Sequence, residues 1–590
     1  MKHKLKCIEF IGRDRLMHYT NINVPYQVDN PTREQRHQML MQHLVEEGRP
    51  EDFKNIIEIL NPPPDITTVC PKGYGKNSKI AVIGAGEAGL SAAFELRKIG
   101  CNITLFEAAG RIGGRINTHY FTDDKKYFAE LGAMRIPLSH EATWHYINLF
   151  KLETSPFVIN NIRNFFYIRN ARAVNDPQGL SVMKNIYPQF SLTHEERKRP
   201  WQALEELVFS KYLYTLSPDE RRELIEIKPK YSYKIQERDM MTRRMAYEGA
   251  GLSQSAISML GNMALLEQNL IGLSFIQQLQ EIYTADFGAT YYINGGMIKL
   301  PLALYGALCD DTTDAYVNIS KDELGQVNFK IGFAVDGIYG SPEGDGVILQ
   351  YRDGKRGGCY YEKFDYVICT MPFSSLRRAK INPLFSEEKS QAIIELNYEN
   401  AQKTFFFLKD RFWEYGNPCT RIVGGNTLTD LPNTSVFYPS DHAMPIPNLK
   451  NGWTLRPGAS PSEPGVLLAS YNWSMDADRI GNEYPSLRID DIKGYIERIH
   501  GLPFEYIDNK FISSITFRWG QVQYMWGGAA IMKPQDKILF SYVVTLPEMN
   551  GKVFFAGEHI SQKHAWQQGS FQTAMVAANK VAERIKAKKS

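Results

Sequence analysis

The stretch KIAVIGAGEAGLSAAFEL, residues 79–96, decides how the rest of the chain is read. Lys79 to Ile83 is strand-like, and Gly84-x-Gly86-x-x-Gly89 follows without a break. LSAAFELRKIG then continues as a helix. The first glycine permits a tight turn, the second lets backbone approach a pyrophosphate, and the third allows close helix packing. Free N–H groups at the helix start face the anion. A second strand, NITLFEA, ends in Glu107, 21 positions after Gly86, where an acid accepts from a ribose hydroxyl. Strand, glycines, helix and acid in register predict a dinucleotide-binding unit.

The next stretch, GRIGGRINT (110–118), puts Gly113, Gly114 and Arg115 just after the acidic strand. A Gly-Gly pair lets backbone lie against a phosphate, and the arginine neutralises it. Far downstream, KVFFAGEHI (552–560) supplies another strand-to-turn segment, with Glu558.

At 590 residues, and with about 150 residues per domain as a guide, the chain holds roughly three or four structural units. Its hydrophobic content of 43% and charged content of 23% are those of a soluble globular protein. A net charge of +3 argues against a dedicated polyanion binder, and the basic tail Arg584 to Lys589 reads as a solvated helix end. The seven cysteines are scattered, odd in number and without C-x-x-C, so they form neither a disulfide framework nor a zinc set. That favours a reducing compartment. Lys2, Lys4 and Lys6 precede an apolar stretch broken by Glu9, Arg13 and Asp14, which leaves no signal h-region. No run reaches the roughly 18 to 20 apolar residues that span a bilayer. The expectation is a cytoplasmic protein.

Residues 31–60 read as two helices. Thr32 with Gln35 forms a capping-box pattern, Gly48 is a stop, and NPPPD (61–65) is a stiff linker. Helical patterning returns between about 190 and 285, with start signals at Thr193/Glu196 and Ser217-Pro218. Strands are expected at 79–84, 366–370, 403–408, 465–473 and 552–557. Interleaved strands and helices imply an α/β or mixed α+β core with a helical insertion.

AELGAMRIP (129–137) carries an arginine, Arg135, inside a mostly apolar run. A guanidinium taken out of water needs an anion. One answer is a protein carboxylate, Glu130 or Glu141; the other is a ligand.

In this order the motifs resemble the flavin amine oxidase superfamily and, within it, the L-amino acid oxidases, close to bacterial amino-acid oxidases and 2-monooxygenases. The resemblance extends from about residue 35 to 583. It includes GGMIKLP (295–301), FAVDGI (333–338), DYVICTMP, RWGQVQYMWGGA (518–529) and AGEHISQKHAWQQGSFQTA (556–574). It implies a Rossmann-like FAD-binding domain assembled from 78–140, 292–372 and 540–590. It further implies a helical domain over 175–291, a sheet-containing substrate domain from 141–174 and 373–539, and a mostly helical N-terminal extension over 1–77. Whether that extension packs on the helical domain or is a cleaved pro-segment stays open.

The implied FAD site takes Gly84, Gly86, Gly89 and Glu107, then Gly114, Arg115, Met134 and Arg135. Val335 stands where backbone contacts the adenine, Trp519 near the flavin ring, and Glu558, Gln567, Gln568 and Ser570 in the returning C-terminal segment. The implied substrate site pairs Arg135 and Tyr438 with the α-carboxylate, the Ala565 carbonyl with the amine, and Trp566 with the aromatic wall. Lys403, Trp519 and Trp566 are the implied catalytic residues, with Lys403 holding a water against flavin N5. The implied reaction is hydride transfer from an L-α-amino acid to FAD, then to O₂, giving a 2-oxo acid, ammonia and hydrogen peroxide. The alternatives are oxidative decarboxylation to the amide, a general amine oxidase, and a non-catalytic FAD-binding protein. Such oxidases commonly dimerise. Two departures stand out. Glu281, in FIQQLQEIYTADF, occupies the region where venom enzymes have a histidine, and the C-terminal motif lacks the cysteine that links flavin covalently in monoamine oxidases. FAD is therefore expected without a covalent bond, and no metal is implied.

Overall fold

Alternate residues of the strand Lys79–Ile83 enter different cores. Ile80 and Val82 join a cluster with the helix Glu87–Lys98, while Ala81 and Ile83 join Val335, Leu349 and Phe364 on the opposite side. A strand buried on both faces belongs to a parallel sheet covered on both sides. The computed structural model, which describes residues 27–310, 314–354, 357–418 and 420–589, contains that sheet. Its five strands run in the order Val327–Ile331, Asn102–Glu107, Lys79–Ile83, Tyr366–Cys369, Val553–Phe555, all parallel. The helices Glu87–Lys98, Lys299–Cys309 and Gln567–Lys589 cover one face, and the antiparallel strands Phe333–Gly340, Val347–Asp353 and Cys359–Phe364 cover the other. The fold is α/β. The sheet draws on three stretches of chain separated by hundreds of residues.

A second, seven-stranded sheet is built from the remaining chain. Its order is Phe511–Arg518, Ala401–Leu408, Gly465–Trp473, Ser435–Tyr438, Gly425–Thr429, Phe165–Ile168, Ala171–Val174. Ala401–Leu408 is buried along its whole length between two antiparallel neighbours, which explains its apolar run. Short helices fill the chain from His194 to Tyr283, with the expected capping boxes at Thr193 and Ser217.

The N-terminal helices Arg33–Glu46 and Asp52–Leu60 pack onto this body. Thr32 and Gln35 close the expected capping box. Arg36 Nη2 lies 3.0 Å from Glu141 Oε1, Arg221 Nε lies 2.7 Å from Asp52 Oδ2, and Arg49 Nη1 donates to the Tyr283 carbonyl at 2.8 Å. Residues 27–77 are thus pinned to both the helical region and the helix Glu141–Leu149. The expectations for Lys2, Lys4, Lys6 and Cys7 lie outside the described residues, as does Cys419. Cys70, Cys101, Cys309, Cys359 and Cys369 are free thiols. Among the described residues no helix is long and apolar enough to cross a membrane, and no cluster of metal-ligating side chains occurs.

The glycine motif tolerates no Cβ where helix meets strand. A methyl group on Gly89 would lie 1.8 Å from the Gly84 carbonyl oxygen, and Gly84 itself has φ +109°. Gly89→Ala is expected to lower stability by about 3 kcal/mol through forced backbone displacement. Thermal unfolding and the flavin content of the purified variant would measure it, and a wild-type melting temperature with full flavin would contradict the assignment.

Candidate active site

A long cleft runs across the carboxyl ends of the parallel strands, where ligands bind in open α/β sheets. With its mouth it encloses about 1670 Å³. Gly84 and Gly86 line one wall, and Gly114 faces Gly86 so closely that a Cβ on Gly114 would lie 3.1 Å from the Gly86 Cα. Gly86 caps the helix Glu87–Lys98 with extended backbone, leaving first-turn N–H groups free for an anion. Glu107 stitches the turn together, accepting from Ala85 N at 2.8 Å and Ala109 N at 2.7 Å. Burial raises its pKa, and its remaining lone pairs face the cleft, where Val335 also lies.

Arg115 Nη1 donates to Glu558 Oε1 at 2.6 Å, and Glu558 also accepts from Ala565 N at 3.0 Å. Burial alone would push Glu558 up. Arg115 beside it, with His564 and His559, holds it down to about 2. Glu87 has the opposite fate, since burial lifts it to about 8 against a weak pull from Arg115. A neutral carboxyl at a helix N-terminus can donate to a phosphate rather than repel it.

Towards the other end, Lys403 projects from Ala401–Leu408 into the cleft. Its Nζ donates to the Glu130 carbonyl at 2.9 Å and the Gly132 carbonyl at 2.6 Å, with Met134 Sδ at 3.4 Å. Burial lowers its pKa to about 7, against the opposing field of Glu130. Trp519 Nε1 donates to the Leu131 carbonyl at 2.7 Å, which fixes the indole plane on the cleft wall. Tyr471, paired in register with Lys403, and Trp473 face the same space. Gln567, at the start of the C-terminal helix, has neither amide atom partnered. Facing glycines, an open helix N-terminus and orphaned amide atoms form a cradle suited to a dinucleotide carrying a hydrogen-bonding ring.

A narrow side pocket opens from this end and shares Ala133, Tyr471, Trp473, Ala565 and Trp566 with the cleft. Arg135 lies here, 8% exposed, with no carboxylate within 4 Å among the described residues and Nη1 unpartnered. Glu141 is engaged by Arg36 and His37, and Glu130 accepts from Thr118 and from Met297 N at 2.7 Å. Neither carboxylate reaches Arg135. Its Cζ instead lies 5.1 Å from the Phe287 ring centroid and 5.5 Å from that of Trp566. Burial lowers its pKa, opposed by Tyr471, Glu281 and Asp286. Glu281 lines the same pocket with a pKa raised by burial, and Arg243, also in the lining, pulls the other way.

Most expected residues converge on the cleft or its side pocket, and three do not. Tyr438 lies on the far face of its sheet, its hydroxyl 2.9 Å from Thr427 Oγ1 and 3.0 Å from His500 Nε2. Strand alternation sends Phe437, not Tyr438, into the core shared with Tyr471 and Trp519. The hydroxyl nearest the Arg135 field is that of Tyr471. Gln568 turns its side chain away, accepting from Ala142 N at 2.9 Å and donating to the Leu60 carbonyl at 2.8 Å. Gly89 sits behind the turn as a packing residue. Met134 and Arg135 line the side pocket rather than the main cleft. Sequence reasoning missed Tyr471 and Trp473, whose two-residue spacing opposite Lys403 was the available signal, and Phe287, for which no local signal existed.

A profile described as flavin containing amine oxidoreductase matches residues 88–585. A putative L-amino-acid oxidase, YobN, of Bacillus subtilis is 30% identical over 85% of this chain and 94% of its own. The L-amino-acid oxidase of Vipera ammodytes ammodytes is 28% identical over 90% of this chain and 97% of its own. Among solved structures, putrescine oxidase bound to putrescine superposes with a TM-score of 0.63 at 15% identity, covering 86% of this chain and 99% of that one. Cyclohexylamine oxidase from Brevibacterium oxydans gives 0.60 at 16% identity, over 87% of this chain and 99% of its own. The fold is shared with these amine oxidases, and the chain belongs to the flavin-containing amine oxidoreductase family.

Proposed function

We propose that the protein is an L-amino-acid oxidase that binds FAD without a covalent bond and converts an L-α-amino acid and O₂ to a 2-oxo acid, ammonia and hydrogen peroxide. The observation that carries this reading is the charge balance of the side pocket. Arg243 is paired with Glu267 at 2.6 Å, Asp286 with Lys563 at 2.5 Å, and Arg115 with Glu558 at 2.6 Å. Arg135 and Glu281 have no ion-pair partner within 4 Å among the described residues. A zwitterionic α-amino acid brings one charge of each sign, whereas a simple amine brings no carboxylate. The relatives named L-amino-acid oxidase support the same substrate class.

FAD, when bound, supplies the acceptor for the hydrogen leaving Cα and passes the electrons to O₂. The chain supplies position and charge. The Arg135 guanidinium forks onto the carboxylate, with the Tyr471 hydroxyl as a second donor. The Ala565 carbonyl and Glu281 hold the amine, and an aromatic, water-poor wall of Trp473 and Trp566 favours its neutral form. Two anchor points orient Cα, the positional share of the rate. Lys403, buried beside the cleft, is the amine we assign to the oxygen half-reaction. Among the described residues no cysteine lines the cleft, which is consistent with FAD held without a covalent bond.

The direct test is anaerobic. L-amino acids are expected to bleach the oxidised-flavin absorbance while D-isomers and simple amines leave it unchanged, and bleaching by amines alone would sink the reading. Product analysis in air then separates 2-oxo acid from amide. Arg135→Met is expected to lower kcat/KM for amino acids by about two orders of magnitude, the loss for removing one partner of a buried charge pair.

Lys403 also sets a pH expectation. Its folded pKa is lowered from 10.5 to about 7, so between those values the unfolded chain binds the extra proton. Stability therefore rises with pH from about 7 towards 10.5 through this group. Denaturant titrations should show that gain in wild type and its absence in Lys403→Met.

A further inference from the structure

Beneath the Arg135 pocket lies a buried cluster that the proposed chemistry leaves unused. Asp286 Oδ2 is 2.5 Å from Lys563 Nζ, and Oδ1 is 3.1 Å from His140 Nε2. Thr284 Oγ1 lies 2.8 Å from Asp286 Oδ1 and accepts from Lys563 Nζ at 2.6 Å. Asp286 and Thr284 are 0% exposed, His140 1% and Lys563 3%. Such a group contributes little net stability, because desolvating both charges offsets their attraction. Its members sit, however, on the segments that build the pocket. His140 follows Arg135 by five residues, Asp286 directly precedes Phe287, and Lys563 comes three residues before Trp566.

The two rings are those over which Arg135 lies. Phe287 and Trp566 meet at 5.8 Å and 62°, and the His140 ring packs edge-on against Trp566 at 5.1 Å and 87°. Arg135 has no carboxylate to hold it, so its orientation comes from these ring faces. The rings in turn are tied through the cluster. Charge matters as much as geometry here. Asp286 already acts on Arg135 through space, and an Asp286 without Lys563 would keep only His140 and Thr284 and become a buried anion without a cation, competing for that guanidinium. Lys563 and His140 hold the carboxylate down in the cluster instead, below its usual pKa despite burial.

We propose that Asp286, Lys563 and His140 are positioning residues that fix Phe287 and Trp566 around Arg135 and keep Asp286 from occupying it, so that Arg135 stays available to a substrate carboxylate. The inference rests on the reading of Arg135 given above. It assigns no bond-making step to the cluster.

The test uses the flavin-loaded enzyme and two variants, Lys563→Met and the charge-neutral double variant Asp286→Asn with Lys563→Met. Lys563→Met should raise KM for L-amino acids about tenfold or more, while kcat changes less than about threefold. Its Kd for 3-phenylpropanoate, a carboxylate without the amine, followed by flavin absorbance, should rise to the same extent. The double variant removes the competing anion, while the amide at position 286 keeps the hydrogen bonds to His140 and Thr284 that tie Phe287 and Trp566, and it should recover both constants to within about threefold of wild type. A cluster that only supports the fold predicts the reverse, a double variant at least as impaired as the single one, and that result would overturn the proposal. So would a folded Lys563→Met with wild-type KM and Kd. If wild type itself neither oxidises amino acids nor binds the carboxylate, the reading of Arg135 has failed rather than the clamp. A crystal structure of Lys563→Met then decides, because Phe287 and Trp566 unmoved around Arg135 would refute the positioning role.

Discussion

The architecture depends on one half-buried ion pair, Arg115 with Glu558, whose partners stand 443 positions apart in the chain. Arg115 ends the glycine-rich loop that faces Gly86, and Glu558 opens the turn leading to the C-terminal helix. The same carboxylate accepts from Ala565 N at 3.0 Å and Ala530 N at 3.3 Å. One side chain thus gathers the nucleotide loop, the Trp519 segment and the Trp566 segment. Breaking the pair is costlier than never forming it, because it leaves the buried Glu558 carboxylate without its nearest counter-charge. That asymmetry explains why a discontinuous domain closes in one arrangement. The C-terminal strand must join the sheet in register for Glu558 to find its partner.

The same desolvation logic sorts the other buried charges. Glu558 is stabilised ionised, Glu87 is pushed towards the neutral form, and Lys403 is brought close to neutrality. All three line one cleft, and perturbed groups gathered in a cleft mark a working site. Their shifts run in different directions because their neighbours differ. Glu558 has a guanidinium at bonding distance, Glu87 has only the distant field of the same arginine, and Lys403 has backbone carbonyls but no close carboxylate.

What was legible in the sequence follows from this. The parallel core could be read because its signal is local, with strand, glycines, helix and acid lying within thirty positions of one another. The expected strands at 79–84, 366–370 and 465–473 appear within a residue or so of those bounds. The sheet order could not be read, since Val327–Ile331 and Val553–Phe555 join by packing rather than by pattern. Within the site, residues inside ordered motifs converge. Tyr438 stands apart from them because a period of two puts neighbours on opposite faces, and Phe437 is the one on the side of Tyr471 and Trp519. Tyr471 reaches the cleft through cross-strand register with Lys403, a relation between positions 68 residues apart in sequence.

The isolated arginine in LGAMRIP shows where sequence reasoning stops and geometry begins. Sequence could state that a buried guanidinium needs an anion, and it offered Glu130 and Glu141 as partners. Each of those carboxylates turns out to be engaged elsewhere, by Met297 N and Thr118 or by Arg36 and His37. Two other buried cations around the pocket are matched by carboxylates, Arg243 by Glu267 and Lys563 by Asp286, while Lys403 is held by backbone carbonyls and is brought close to neutrality. A protein that pairs its neighbouring charges and leaves one arginine facing a cavity is holding desolvated charge in reserve for a ligand, because an unused buried charge only destabilises the fold. Under the proposed function, the sign of that reserve, set beside a Glu281 carboxyl without an ion-pair partner, is what favours an α-amino acid over an amine as the complementary ligand.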